Sequence, residues 1–357
     1  MSAFRFCGSH VVVSKGPTLR CSEREVTAPS ILYSNSYEDH RPFRRPSAHD
    51  RYRSDACHGR QRVGSPLGNV CVTRATTALE RDLLGYKKEH RDHLSDMFKS
   101  MAATNRTIRR VLEPGSEDPS SVDALALARL QLECLFALCL MFEGSQHVDC
   151  YTQDRWRKQY VRYLLLRQET MALPAWEQFV SETPVDLIRL GLHFGVTQAQ
   201  MSTVAFQELG KPLPAGITEQ NVPPFPTPGK VIGKIADHGK RRMLERLYMN
   251  YVELCSFAHG LGEANLLKLV FDKRSPDGRM FDGIEKEKKF NTNVSGQSHR
   301  ISFLSIAQST AELTKLYPSD MELSVAASNA WNQLRGASLF TKAIWELRTK
   351  KLLGILG

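Results

Sequence analysis

Strand signals are all but missing from this 357-residue chain. Only residues 11–13 and 231–235 offer short β-branched runs, which excludes sandwiches, barrels and doubly wound sheets and leaves an all-α helical bundle. The eight cysteines (7, 21, 57, 71, 134, 139, 150 and 255) contain no C-x-x-C pair, and no secretory apolar run precedes them. A disulfide framework is thereby excluded, and a reducing, cytoplasmic setting is the expectation. Cys57, His58 and Cys71 stand close together, but a tetrahedral zinc site needs a fourth ligand that the neighbourhood lacks.

The sequence-local forms of catalysis are missing too. G-x-S-x-G is absent, and none of the 11 histidines has a glutamate three residues before it, as a di-iron bundle requires. At Gly229 the run GKVIGK has three residues between its glycines where a phosphate loop has four, and Ile235 stands where Ser or Thr holds magnesium. Gly260, Gly262 and Asn265 imitate a dinucleotide fingerprint without its third glycine. His90, Arg91 and Asp92 look like a kinase catalytic loop, yet Met97 replaces the metal-binding Asn. No metal and no cofactor is expected, and the sequence neither assigns nor excludes an enzyme.

What the chain does carry is positive charge, a formal +10 at pH 7. Residues 1–70 hold 11 Lys and Arg against 6 Asp and Glu, so half of the surplus sits in the first fifth of the chain. Residues 1–72 are rich in Arg, Ser, His and Pro without sustained periodicity and read as a disordered basic tail. Two parts of a helical bundle follow, 73–209 and 237–357, joined by a connector at 210–236 whose prolines (212, 214, 223, 224, 226 and 228) argue for an extended chain over 211–234.

Within the first part, residues 75–113 read as one helix with a broken apolar stripe, stopped by Pro114 and Gly115. Residues 124–142 have the length of a membrane span, but Arg129, Gln131 and Glu133 near the middle favour a buried helix and no membrane. The next helix, about 152–171, has a cationic polar face formed by Arg155, Arg157, Lys158, Arg162 and Arg167. Thr183 before Pro184 signals a helix start closed by Gly195, and Thr197 with Gln200 opens another closed by Gly210.

In the second part, residues 241–268 are the stretch around which the chain is expected to be organised. Leu244, Leu247, Tyr248, Tyr251, Leu254, Cys255 and Ala258 recur at three- and four-residue steps and share one helix face. His259 follows on the edge of that face, and Gly260 and Gly262 weaken the helix beyond it. Residues 272–300 read as a polar loop with a solvated charge run at 285–289, and 303–317 as a helix ending at Pro318. Ser319 with Glu322 forms a capping box for a long last helix whose Ala326, Ala327, Ala330 and Ala337 allow close approach near Trp331 and Trp345.

Two resemblances attach to these residues. Residues 187–209, with Gly191, Gly195, Val196, Met201 and Val204, resemble a DNA-binding helix-turn-helix. Gln198, Gln200, Ser202 and Thr203 are available there to read bases, while no Lys or Arg lies between Arg189 and Lys211 to hold phosphates. Tyr251, Cys255, His259 and Gly260 resemble the Tyr-x3-Cys-x3-His-Gly helix of a family of uncharacterised bacterial helical proteins. That resemblance implies a helical fold and a focal His259, and brings no activity with it.

The expected role is a non-catalytic binding or scaffold module with an anionic partner, nucleic acid or an acidic protein. The candidate binding residues are Tyr248, Tyr251, Cys255, His259, Glu263, Arg155 and Arg162. The alternatives are a nuclease or other hydrolase centred on His259, with Glu253, Glu263 or Tyr251 as its acid-base partner, and a helix-turn-helix regulator.

Overall fold

Thirteen consecutive residues, 301–313, are buried on every side of one helix, and the rest of the bundle is arranged about it. The structure is a computed structural model. It describes residues 65–112, 121–170, 177–213, 215–216, 218–259 and 281–354, without the side chains of 65, 121–122, 168–170, 177–183, 256–259 and 281–291. Among the described residues there is no strand, and the fold is all-α. All of them fall in one compact unit that spans 61–357.

In chain order the helices are α1 (Ser65–Glu80), α2 (Lys88–Val111), α3 (Ser121–Met141), α4 (Ser145–Thr170), α5 (Glu177–His193), α6 (Gln198–Glu208), α7 (Pro228–Lys234), α8 (His238–His259), α9 (Phe281–Leu313), α10 (Met321–Leu334) and α11 (Leu339–Ile344). The chain then opens into a π-helical turn, Trp345–Thr349, and closes with a short helical turn, Lys350–Leu352. α9 is the central helix, packed by α3, α10, α1 and α2, while α3 also receives α8. Ser298, Ser302, Ser305 and Ser309 share one face of α9 at steps of four, three and four. Such small side chains let neighbouring backbones come close. The hydroxyls of Ser305 and Thr310 donate to the carbonyls of Ile301 and Ile306, four residues back.

The expectation that residues 241–268 organise the chain is therefore corrected. α8 is a flanking helix, and the centre is α9, whose first half reads as a loop in the sequence. From Phe281 onward that loop is helix. Polar residues at 292–300 suggest solvent, yet Val294 and Ser298 are buried against the bundle. Burial of small hydroxyls leaves no apolar period to detect.

Four further departures have local causes. Residues 75–113 are two helices, because Gly85 takes a left-handed φ of +81° and turns the chain between Leu83 and Tyr86. The Tyr86 hydroxyl donates to Met141 O at 2.7 Å and fastens this turn to the end of α3. Pro184 lies inside α5 rather than at its start. Pro228 stands at the first position of α7, where its missing N–H is no loss, so residues 228–234, with all but the last residue of the candidate strand 231–235 among them, wind into a helix. The cap of α10 is Asp320, which accepts from the Leu323 N–H at 2.9 Å, and Ser338 starts α11 separately.

α1 begins at Ser65, inside the stretch assigned to the tail, and Cys71 is a core residue whose Sγ donates to Ala326 O at 3.5 Å. Burial pushes its thiol up to about 12, which keeps it neutral in the core; Cys57 and His58 lie outside the described residues. Residues 1–64, with the rest of the tail, also lie outside them. Within α3, residues 123–141 are long and apolar enough to cross a membrane, and two thirds of them are buried inside the bundle. Arg129 pairs with Glu133 at 2.6 Å, and Gln131 donates to Met101 O at 2.6 Å, so two of the polar groups of this span bond within the bundle, while Arg129 Nε and Gln131 Oε1 are buried without a partner.

A second, smaller core holds the α4–α5–α6 lobe together. Trp156, Val196, Met201, Val204 and Val222 form it, with Tyr160, Val161, Leu190 and Phe194 packed against them.

Candidate functional site

The tyrosines singled out in the sequence lie along the seam of α3 and α8. Tyr248 and Tyr251, one helical turn apart on α8, stack at 5.9 Å, and both meet the edge of Phe136 on α3. The Tyr251 hydroxyl donates to Glu133 Oε1 at 2.8 Å, and the Arg129 guanidinium lies 5.7 Å from the centre of its ring. Burial, with Cys255 and the Glu133 carboxylate beside it, raises the Tyr251 hydroxyl well above the usual phenol range.

Arg155 of α4 belongs to the same neighbourhood. Its guanidinium lies 5.9 Å from the centre of the Tyr151 ring, and its charge is felt at Cys134, where burial nevertheless pushes the thiol up to about 11. Tyr151 packs edge-on to Phe225 at 4.9 Å, so the proline connector is clamped here. Arg162 lies seven residues further along α4 and is exposed. α8 ends on His259, whose side chain lies outside the described residues, as does Glu263. The structure therefore brings Tyr248, Tyr251 and Cys255 together on α8, sets Arg155 against Tyr151 on α4, and leaves the histidine-centred hydrolase reading without described geometry.

Tyr251 and Arg129 both bond to Glu133, and Cys134 and Tyr251 are driven toward their neutral forms by burial. Such a cluster holds two helices together; it has no activated nucleophile and no poised base. Among the described residues no group of three His, Cys, Asp or Glu is placed to hold a metal ion.

His93 is the titratable group that this neighbourhood perturbs most usefully. Its ring tilts against Tyr151 at 5.4 Å, and its Nε2 is buried without a hydrogen-bond partner. Burial, then the positive charge of Arg155, lower it to about 4. In the unfolded chain it titrates near ~6.5. Between those values the unfolded state binds the extra proton, so stability should fall as pH drops from neutrality toward 4, by on the order of 3 kcal/mol. His147 and His299, also lowered by burial, act in the same direction. The test is the urea midpoint at neutral pH and near pH 5. His93→Leu should shrink the difference between the two, and an undiminished difference would place the acid sensitivity elsewhere.

A concave site that the sequence does not announce lies between the first turn of α2, the start of α4 and the α5–α6 turn. This cavity of about 570 Å3 is lined by Lys87, His90, Asp149, Gln153, His193 and Phe194, among others. His90 Nε2 is 2.8 Å from Asp149 Oδ1, while its Nδ1 accepts the Lys87 backbone N–H at 3.3 Å. With both ring nitrogens engaged, His90 caps α2 and ties it to α4 rather than presenting a free base.

The helix-turn-helix expected at residues 187–209 is present as geometry. α5 and α6 are joined through Gly195 at a φ of +73°, and Thr197 and Gln200 form the expected capping box, Gln200 N to Thr197 Oγ1 at 3.2 Å and Thr197 N to Gln200 Oε1 at 2.9 Å. A Cβ on Gly191 would come within 2.8 Å of both Met201 and Trp156, which is why the pair closes so tightly. Two of its four readers are engaged, as is Gln207 beyond them. Gln200 is held in the cap, Thr203 is fully buried and accepts the Gln220 N–H, and Gln207 is bound to Glu219 and Asn221. Only Gln198 and Ser202 remain, and the segment crossing α6 brings Glu219, a charge of the wrong sign for phosphate.

Comparison with protein families, with curated proteins and with solved structures finds no match to this chain.

Proposed function

We propose that the protein is a non-catalytic binding module that takes an anionic partner along α4. The observation that carries this reading is the state of the cations. Arg155, Arg162 and Arg167 are exposed, and none has a carboxylate partner among the described residues. Lys158, also exposed, shares Asp154 with Arg157. The second basic cluster expected from the sequence, residues 240–242, contributes less. Lys240 is buried and paired with Glu143 and Glu312, and Arg241 donates to the carbonyl of Ile235. The internally bonded seam of α3 and α8 supports the non-catalytic half of the proposal.

Charge reversal tests it. Arg155→Glu, Arg162→Glu and Arg167→Glu combined should leave the helical signal intact and reduce retention on an immobilised sulfated polyanion, with about tenfold weaker binding at low salt. Retention that the triple variant does not alter would refute α4 as the docking element.

A second reading, a DNA-binding regulator, draws on the α5–α6 geometry alone. The engaged state of Gln200, Thr203 and Gln207 and the nearness of Glu219 favour the α4 reading over it.

A further inference from the structure

The chemistry of the partner can be narrowed, on the footing that α4 is where an anionic partner docks. Arg155, Gln159, Arg162 and Leu166 recur at steps of four, three and four, so they form one row on α4, and every member of that row is exposed. Lys158 and Leu165 lie in the adjoining row and are exposed as well. Leu165 and Leu166 keep 44% and 40% of their surface open, so the cationic row passes without interruption into an apolar end.

Each of the three classes of anion would use such a row differently. A nucleic acid backbone offers phosphate and sugar, against which two leucines gain nothing. A lipid surface is met by a helix whose whole exposed face is apolar with basic edges; here the apolar part is two residues at one end. An amphipathic helix meets its groove through side chains at i, i+3, i+4 and i+7, and it carries both required elements on one face. Arg155 and Arg162 are seven residues apart, about 10.5 Å along the axis, the separation of two carboxylates at i and i+7 on a facing helix. A second copy of α4 would set arginines against arginines, which disfavours self-association through this row.

We infer that the partner is an acidic amphipathic helix of another protein, laid along residues 155–166 of α4. Its carboxylates would meet Arg155, Lys158 and Arg162, and its apolar residues would cover Leu165 and Leu166.

The experiment uses the full chain and four labelled probes in fluorescence anisotropy. These are a designed acidic amphipathic peptide of about 18 residues with Glu and Leu at helical spacing, its scramble of identical composition, a duplex DNA of roughly 20 base pairs, and vesicles with about 30 mol% phosphatidylserine. The amphipathic peptide should bind at least about tenfold more tightly than the scramble, the DNA or the vesicles. Leu165→Ser with Leu166→Ser, a change at exposed positions that should leave the fold intact, should remove that preference while leaving retention on the polyanion unchanged. Peptide and scramble binding alike, or DNA or vesicles binding more tightly than the peptide, would overturn the inference yet leave α4 as the docking element. If the triple arginine reversal alters binding to none of the probes, the docking reading itself fails, and this inference with it.

Discussion

Glu312→Ala should be the most damaging single substitution in the described part of the chain, lowering stability by about 3–5 kcal/mol. The Glu312 carboxylate is fully buried at the end of α9 and takes a bidentate pair from Arg348, Nε to Oε1 and Nη2 to Oε2, each at 2.8 Å. Gln308 donates to Oε1 at 3.0 Å, and Lys240 Nζ lies 3.5 Å from Oε2. Taking away the carboxylate would strand Lys240 and Arg348, both buried, each left with only a peripheral carboxylate partner.

The periphery of the network is ordered by the same cations. Burial alone would raise the Asp237 carboxyl, but the Lys240 backbone N–H, Lys315 and Arg348 hold it well below the usual carboxylate range. The π-helical turn gives the network its shape, because it carries Arg348 toward Glu312 and Asp237 and Thr349 toward Gln308, whose Oε1 accepts the Thr349 hydroxyl at 2.7 Å. Glu312→Gln keeps the volume and loses the charge, and it should recover only part of the loss. Denaturant midpoints for the two variants check this, and a Glu312→Ala protein within about 1 kcal/mol of the parent would show that the network contributes little net stability.

Trp156→Ala is expected to cost about 3–5 kcal/mol, but locally. The indole is fully buried in the small α4–α5–α6 core, stacks on Tyr160 at 4.9 Å and donates from Nε1 to Leu187 O at 2.7 Å. It also fills the space left by the missing side chain of Gly191. Because the core around α9 is a separate cluster, amide exchange should accelerate in α5 and α6 while the centre of α9 stays protected. Equal acceleration in α6 and α9 would mean that the two cores unfold as one.

How far the sequence could be read depends on which physical signal each element left in it. The α6 cap was legible because Thr197 and Gln200 act through a local hydrogen-bond pattern that three residues specify. α3 was legible because its apolar content is high, and the buried Leu244, Leu247 and Leu254 of α8 were legible because that helix is buried on one face only. α9 was legible only from residue 303; its earlier half was not, since the buried Val294 and Ser298 stand among polar residues that read as surface. Lys240 misled for a related reason: its partners Glu143 and Glu312 are 97 and 72 positions away, beyond any local pattern. Of the candidate site, the Tyr248–Tyr251–Cys255 row followed from spacing. Where Arg155 sits depends on how α4 crosses α3, which no local rule gives; the side chain of His259 and the whole of Glu263 lie outside the described residues. The cavity beside His90 left no signal at all, because three separate elements build it.

The contact between α1 and α10 sets an order of events at the ribosome. Cys71 reaches Ala326 across 255 residues of sequence, and Arg81 pairs with Asp320 nearby. At roughly 5–20 residues per second, the first helix leaves the exit tunnel about 13–50 s before the helix that covers it has been made. For most of that interval α1 has only α2 to pack on, and until its end the side of Cys71 that α10 covers lacks its partner, which makes this early helix a segment on which a chaperone would be needed.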